Sequence, residues 1–319
     1  MLSIERVRIP SHFYERSLLG SLFFISYALL VHVLPLALIV AVYLSIDSGL
    51  LKWLLIIPLA VIAGQGLHLM GWVGHEGFHN NLARNKTLSM GLALLVTGPI
   101  GLFSTVGENS VHWNHHKYTN GDKDLQTHIF PKYRGLLTRL IVSRLELEYI
   151  YLRNMLLLAF DKQQFAMAVP HKRAVLLARI DLVHSLLWLA LYGYVYVLSP
   201  GIFWAAIALP HTFAFVMSSI RPYVEHAGTG DTPYTQARTM KSKWMSLLLY
   251  FNNYHLEHHL YPAVPCWKLP ALNRYLTINH IYDGKEAIVS ESALDYFRCS
   301  TAAYQYPEAQ YTTASAENA

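Results

Sequence analysis

Four long apolar segments limit what this chain can fold into. Each is long enough to cross the roughly 30 Å hydrocarbon core of a bilayer as a helix that rises about 1.5 Å per residue. A backbone in lipid must satisfy its own hydrogen bonds, and an α-helix does so within one segment. We therefore predict four transmembrane helices, at about residues 18–46, 50–72, 180–198 and 201–220.

Short turns join these segments in pairs, which predicts two helical hairpins around residues 47–49 and 199–200. The apolar stretch 88–103 is short and rich in glycine, a composition typical of a re-entrant or interfacial segment. Residues 136–160 mix apolar and charged side chains and predict an amphipathic helix. That helix either lies at the membrane interface or is an ordinary surface helix.

The distribution of charge gives the orientation. Only 14% of the residues are charged and 53% are hydrophobic, as is typical of membrane proteins. Of the 25 lysines and arginines, Lys52 alone falls on the side of the two hairpin turns. Because basic loops remain in the cytoplasm, we predict that both termini and the other loops are cytoplasmic. These basic residues can face anionic headgroups, so nucleic acid is not needed to explain the positive charge.

The predicted fold class is an all-α membrane protein. It has four transmembrane helices in two hairpins, a re-entrant or interfacial segment, and a cytoplasmic helical cap. We predict one integral-membrane domain over residues 1–275 and a C-terminal extension over 276–319, whose last 20 or so residues are small, polar and disordered. Cys266 and Cys299 form no spaced framework and are compatible with a reducing compartment.

Histidines occur in three internal clusters, which we assign to the cap. The clusters are His75 and His79; His112, His115 and His116; and His255, His258 and His259. Histidines three or four residues apart share one face of a helix, so each cluster aims its imidazoles in one direction. Eight imidazoles exceed the roughly four ligands of one zinc ion, which predicts a two-metal site. Imidazole suits iron, copper and zinc. We favour iron, because redox-silent zinc gives no reason for so many ligands.

The order of these clusters across four spans resembles the membrane fatty acid desaturase and hydroxylase superfamily. The resemblance covers about residues 20–275 and is sharpest at 252–262, Asn-Asn-Tyr-His-Leu-Glu-His-His-Leu-Tyr-Pro. The turn at 119–122, Thr-Asn-Gly-Asp, is also similar. The resemblance implies a non-haem di-iron centre that uses O2 to oxidise a C–H bond in a lipid chain. It also implies His226 as a ninth ligand, with a surface histidine paired to Glu225 as the alternative.

Carboxylates near the ligands are predicted to accept the second N–H of an imidazole, which fixes its tautomer and raises its basicity. Each could instead be a solvated charge or part of a salt bridge. These residues are Glu76, Asp122, Asp124, Glu225 and Glu257. No catalytic residue beyond the metal ligands is predicted.

Two features depart from the stearoyl-CoA type of this superfamily. The first cluster has three intervening residues where that type has four, and Pro222 stands where that type has an asparagine that assists one metal. We therefore favour a bacterial-type branch and a bacterial inner membrane. That branch also includes carotenoid ketolases and hydroxylases, which widens the range of substrates.

The leading hypothesis is desaturation of a fatty acyl chain by two non-haem iron ions, with O2 as co-substrate and a separate ferredoxin or cytochrome as electron donor. Hydroxylation or ketolation of a carotenoid or other lipid is an alternative. So is oxidative decarboxylation of a fatty acid to a terminal alkene. A more distant alternative is a membrane metal transporter or sensor. Transport needs ligands near the bilayer midplane, whereas these clusters follow the predicted spans.

Overall fold

The computed structural model describes residues 6–290 except Leu102, together with Ser292, Asp295 and Arg298. The predicted disorder of residues 300–319 lies outside this range. The chain divides into two compact units. One, here the histidine unit, comprises Met1–Glu15, Val111–Leu147 and Ser219–Ala319. The other, here the span unit, comprises Arg16–Ser110 and Glu148–Ser218. The prediction of one domain over residues 1–275 stays a prediction.

The first hairpin consists of α1 (Leu18–Ser45) and α2 (Gly49–Phe78). Each begins at a serine whose hydroxyl accepts a backbone N–H of the first turn, as N-cap serines do. Large apolar side chains of α1 face outwards; Leu30, for example, is 63% exposed. A helix with exposed apolar side chains and length enough for a bilayer is stable in lipid, because the hydrocarbon replaces a protein core.

A broken helical segment follows the first hairpin. Helix α3 (Lys86–Thr97) passes into a 3₁₀ turn (Gly98–Ile100), and α4 begins after a break at Thr105 and ends at Tyr118. Gly101 adopts a φ of 76° at the break, where a side chain would be strained. This bent pair forms either a broken span or a re-entrant loop, and the second of these agrees with the re-entrant or interfacial segment predicted at residues 88–103.

A buried carboxylate caps α4 at this break. Asp181 accepts hydrogen bonds from the backbone N–H of Val106 at 2.9 Å and from the hydroxyl of Ser104 at 2.8 Å. The first N–H groups of a helix have no partner within the helix, so a buried helix start needs such an acceptor. The cap therefore fixes where α4 begins.

The second hairpin joins α6 (His171–Leu198) to a continuous helix that runs over Pro200–His226. The latter consists of α7 (Pro200–Ile202), a π-helical stretch (Phe203–Ala208) and α8 (Leu209–His226). Before this hairpin, a π-helical turn (Thr138–Val142) leads into α5 (Ser143–Ala159).

The remaining described elements belong to the histidine unit. They are β1 (Arg238–Met240), α9 (Lys243–Leu249), α10 (His255–Leu260), α11 (Leu269–Ile278) and β2 (Ile288–Ser290), with 3₁₀ turns at Ser11–Tyr14, Thr127–Lys132 and Cys266–Lys268. The two strands pair in parallel, and Thr239 of β1 also forms a bridge with Tyr254. That bridge fixes the chain immediately before α10.

Within the described residues, four helices are long and apolar enough to span a membrane, which confirms the predicted count. Their bounds differ from the prediction mainly at α6, which begins nine residues earlier than position 180. The early turns of α6 contain Lys172, Arg173 and Arg179, whose charge interrupts the apolar pattern. Such side chains are compatible with a helix that extends beyond the hydrocarbon, since their long stems reach the headgroups.

Small residues let the spanning helices approach closely. A methyl group at Gly66 of α2 would overlap the backbone nitrogen of His32 in α1. The His32 imidazole donates from Nδ1 to the carbonyl of Ala63 at 2.9 Å. Small residues at helix crossings and polar bonds between helices are the usual means of association in lipid. His32 therefore has a packing role.

We predict that Gly66→Ala destabilises the protein, because the added methyl group must push α1 away from α2. Overpacking of this kind costs about 1–3 kcal/mol. Gly91→Ala in α3 is the matched control: nothing lies within 4 Å of its added methyl group. Alanine is also the better helix former there. Thermal unfolding in detergent should show a lower midpoint for Gly66→Ala alone. Equal midpoints for both variants would contradict this packing.

Candidate metal centre

Helix α4 presents the three histidines of the second cluster on neighbouring faces. His112 and His116 are one turn apart, and their Nε2 atoms lie 3.0 Å from each other. His115, at the intermediate position, is rotated away from this pair. Its ring instead lies against that of His226, with centroids 4.9 Å apart.

Helix α10 repeats the arrangement with the third cluster. His255 and His259 are one turn apart, and their Nε2 atoms are separated by 3.1 Å. His258 points to the α4 pair instead, with its Nε2 3.1 Å from that of His116. Each H-x-x-H-H motif thus keeps its i, i+4 pair together and gives its third imidazole to the pair of the other motif.

This exchange produces two groups of imidazoles in the histidine unit. Group A consists of His112, His116 and His258. Group B consists of His115, His226, His255 and His259. All seven side chains are buried, none being more than 8% exposed.

His226 is the last residue of α8, and its Nε2 lies 3.1 Å from that of His255. Its Nδ1 donates to the backbone carbonyl of Gln236 at 3.0 Å. The alternative, a surface histidine paired with Glu225, does not describe a ring that is 3% exposed and bonded in this way.

The Nδ1 atoms of four imidazoles face oxygen acceptors, so these rings carry their proton on Nδ1 and direct the Nε2 lone pair into the groups. Such partners orient a metal ligand and raise its basicity. The pairs are His115 with Asp124 (2.8 Å), His112 with Gln126 (3.0 Å), His226 with the Gln236 carbonyl (3.0 Å) and His259 with Thr119 (3.3 Å). The Thr119 hydroxyl donates to the carbonyl of His115 at 2.6 Å and is therefore an acceptor toward His259.

The Nε2 separations fit metal coordination better than hydrogen bonding. An imidazole nitrogen carries either one proton or one lone pair, so it forms one strong hydrogen bond. The Nε2 of His116 has two Nε2 neighbours, at 3.0 and 3.1 Å, and that of His255 has two at 3.1 Å. Adjacent ligands of an octahedral ion with metal–nitrogen bonds of about 2.1 Å lie about 3.0 Å apart. The residues of both groups therefore fit a metal ion.

Burial keeps two imidazoles of group B, those of His255 and His259, neutral. Burial, together with neighbouring imidazoles, holds the pKa of His255 and of His259 well below the usual value. Metal ligation needs the unprotonated imidazole, so both are ready to bind at neutral pH.

Asp124 provides the anionic acceptor of group B. Burial alone would raise the pKa of Asp124, but the His115 imidazole and hydrogen bonds from His115 and Thr127 outweigh it and hold the pKa well below its ordinary value. The backbone N–H groups of Asn120 and Gln126 also donate to this carboxylate, at 3.0 and 2.9 Å. A carboxylate with several donors stays ionised and holds a fixed geometry.

The first cluster lies in the span unit, at the end of α2. His75 and His79 are buried and one turn apart, with ring centroids 4.7 Å from each other. Glu76 accepts a hydrogen bond from Asn81 at 3.2 Å, and its second oxygen is 3.7 Å from Nδ1 of His75.

The other predicted carboxylates have different surroundings. Asp122 is exposed. Glu225 accepts from Arg221 at 2.6 Å, and its second oxygen lies 3.5 Å from Nε2 of His255, close enough to share an ion with group B. Glu257 accepts hydrogen bonds from Thr239, Asn273 and Tyr282, and these tie α10 to β1 and α11.

Sequence analysis missed three of the four acceptors that orient the imidazoles. Gln126 and Thr119 follow the second motif closely, but uncharged side chains at those positions gave no distinguishing signal. The Gln236 acceptor is a backbone carbonyl, so no residue type marks it.

A model of the fatty acid desaturase family matches residues 51–279 of this chain. This chain belongs to the fatty acid desaturase family. The matched range runs from the first turn of α2 to the end of α11 and includes every predicted histidine ligand, which confirms the resemblance. A comparison with curated proteins finds no match. The protein is accordingly an integral membrane oxidoreductase of this family, with a metal-binding site of buried histidines and a lipid substrate.

We predict that Asp124→Asn lowers metal affinity about 10- to 100-fold, as loss of a partner to a ligand imidazole usually does. The amide nitrogen would face an N–H donor, so the variant cannot satisfy all the donors that now surround Asp124. Asp122→Asn, two residues away and exposed, should bind metal like the wild type. Chelator competition followed by elemental analysis would measure this. An equal loss in both variants, or in neither, would show that the carboxylate of Asp124 does not support His115.

Proposed function

We propose that this protein is an O2-dependent di-iron oxidase that desaturates a fatty acyl chain. The observation that carries the proposal is the exchange between α4 and α10, which builds two adjacent imidazole groups in a member of the fatty acid desaturase family. One redox-active ion at each group gives the pair of metals that the number of histidines predicts.

We propose nine metal ligands. Seven belong to groups A and B, and His75 and His79 of the first cluster complete the set that the family resemblance implies. Two iron ions held in this way would supply the one-electron redox chemistry that lets O2 react with a C–H bond. The side chains themselves hold the geometry: the Nε2 lone pairs bind, and the Nδ1 bonds fix the rings. Burial of every ligand in groups A and B excludes bulk water from the centre.

The proposed reaction balances with two external electrons. An acyl –CH2–CH2– unit, one O2, two electrons and two protons give –CH=CH– and two water molecules. The substrate supplies the other two electrons as its two C–H bonds break. A separate donor of the ferredoxin or cytochrome type must therefore supply the external pair. Rebound of oxygen would instead give an alcohol, so the outcome depends on how accurately the substrate is placed.

The purified protein in lipid nanodiscs should hold two iron ions and convert a fatty acyl substrate to a product with two fewer hydrogens, given O2 and reduced donor. Mass spectrometry of the product is the measurement. His258→Ala should abolish the reaction, because it removes a ligand of group A. His280→Ala is the control, since that histidine is exposed.

The other outcomes of this assay identify the competing functions. An added oxygen would indicate hydroxylation or ketolation, and loss of carbon dioxide would indicate decarboxylation to a terminal alkene. Exchangeable zinc without any O2-dependent product would indicate a transporter or sensor. Each of these results would overturn desaturation.

We also propose that the protein lies in a bacterial inner membrane with both termini and all three histidine clusters in the cytoplasm. The support for the orientation is the position of Lys52, the one basic residue among 25 assigned to the opposite side.

Topology is testable with reporter fusions. Alkaline phosphatase is active only where its disulfides form, outside the cytoplasm. We predict activity when it is fused after Ser199 and none when it is fused after Lys241; green fluorescent protein at the same positions should give the reverse. Phosphatase activity at Lys241 would contradict the orientation.

A further inference from the structure

Asn120 lies two residues after the end of α4 and is hydrogen-bonded to the acceptors of two group B imidazoles. Its side chain is 2% exposed, and its φ of 59° lies in the left-handed region. Asparagine tolerates that region better than most residues with a side chain. The conformation turns its amide back toward the segment that follows α8.

The amide nitrogen of Asn120 has three acceptors within reach. They are the Thr229 hydroxyl at 2.8 Å, the Gly230 carbonyl at 2.8 Å and the Gln236 carbonyl at 2.9 Å. Because two of these are carbonyl oxygens, which only accept, the group that faces them must be the NH2 and not the amide oxygen. Asn120 therefore acts as a donor that holds the two ends of the segment 229–236 together.

That segment holds His226 in place. The Gln236 carbonyl that accepts from Asn120 also accepts from Nδ1 of His226 at 3.0 Å. The Thr229 hydroxyl donates to the backbone carbonyl of His226 at 2.8 Å. The amide of Asn120 thus fixes the oxygen that sets the tautomer and the direction of this imidazole.

The backbone of Asn120 fixes a second ligand. Its N–H donates at 3.0 Å to Oδ2 of Asp124, the oxygen that accepts from Nδ1 of His115 at 2.8 Å. One residue is therefore bonded to the acceptors of both His115 and His226, which lie in group B.

We propose that Asn120 is a positioning residue for the metal at group B. The proposal rests on the proposed two-metal function. The side-chain amide positions His226 through the Gln236 carbonyl, and the backbone N–H of the same turn positions His115 through Asp124. Loss of the amide should therefore weaken the metal site at group B and spare the site at group A. Partners of ligand imidazoles usually contribute about 10- to 100-fold to metal affinity.

The test uses Co²⁺ on metal-free full-length protein, so that it does not depend on iron, O2 or turnover. Asn120→Asp keeps the size but places a carboxylate against two carbonyl oxygens. Asn120→Gly keeps the backbone conformation and removes the amide. Asn85→Asp is the matched control: Asn85 caps α3 through its side-chain oxygen, and aspartate can do the same.

The wild type and Asn85→Asp should bind two Co²⁺ per chain by elemental analysis. Both Asn120 variants should bind one tightly and the second about 10- to 100-fold more weakly, with a changed d–d absorption spectrum and unchanged helix content by circular dichroism. Two equally tight ions in either variant would overturn the role of Asn120, and so would equal weakening of both ions in a folded variant. Wild-type protein that binds two Co²⁺ but oxidises no lipid would refute the proposed function and leave this inference standing.

Discussion

The centre depends on the angular spacing of residues along an α-helix. In H-x-x-H-H, the first and last histidines are about 40° apart around the helix axis, and the middle one lies about 60° to the other side of the first. One motif therefore cannot direct all three imidazoles at one ion without distortion, but it serves two ions naturally. Two such motifs, each with its pair toward a different group, supply six of the seven imidazoles of groups A and B, and His226 of α8 supplies the seventh.

The same geometry requires support from outside the helices. Helix α10 has only six residues and would be unstable alone, because short isolated helices are marginal in water. Its buried Glu257 is bonded to Thr239, Asn273 and Tyr282, which anchors it to the rest of the histidine unit. A buried carboxylate with several donors can be stable, and here it supports the helix and not an imidazole.

Much of this architecture is predictable from sequence, and the parts that are not have identifiable causes. Apolar length and helical spacing depend on residue type, so the four spans and the three clusters can be found directly. The start of α6 is less predictable, because the charged residues in its first turns have the composition of a loop. The division into two groups depends on the orientation of α4 relative to α10. The Gln236 acceptor is a backbone carbonyl, which no sequence pattern marks.

The exchange of histidines between α4 and α10 also has a consequence for the order of biosynthesis. Group A needs His258 and group B needs His255 and His259, so neither group exists until the ribosome has passed residue 259 of 319. All four spans have been synthesised by then. Metal loading is thus a late step, and a nascent or truncated chain that ends before α10 presents the imidazoles of α4 without a complete centre for either ion.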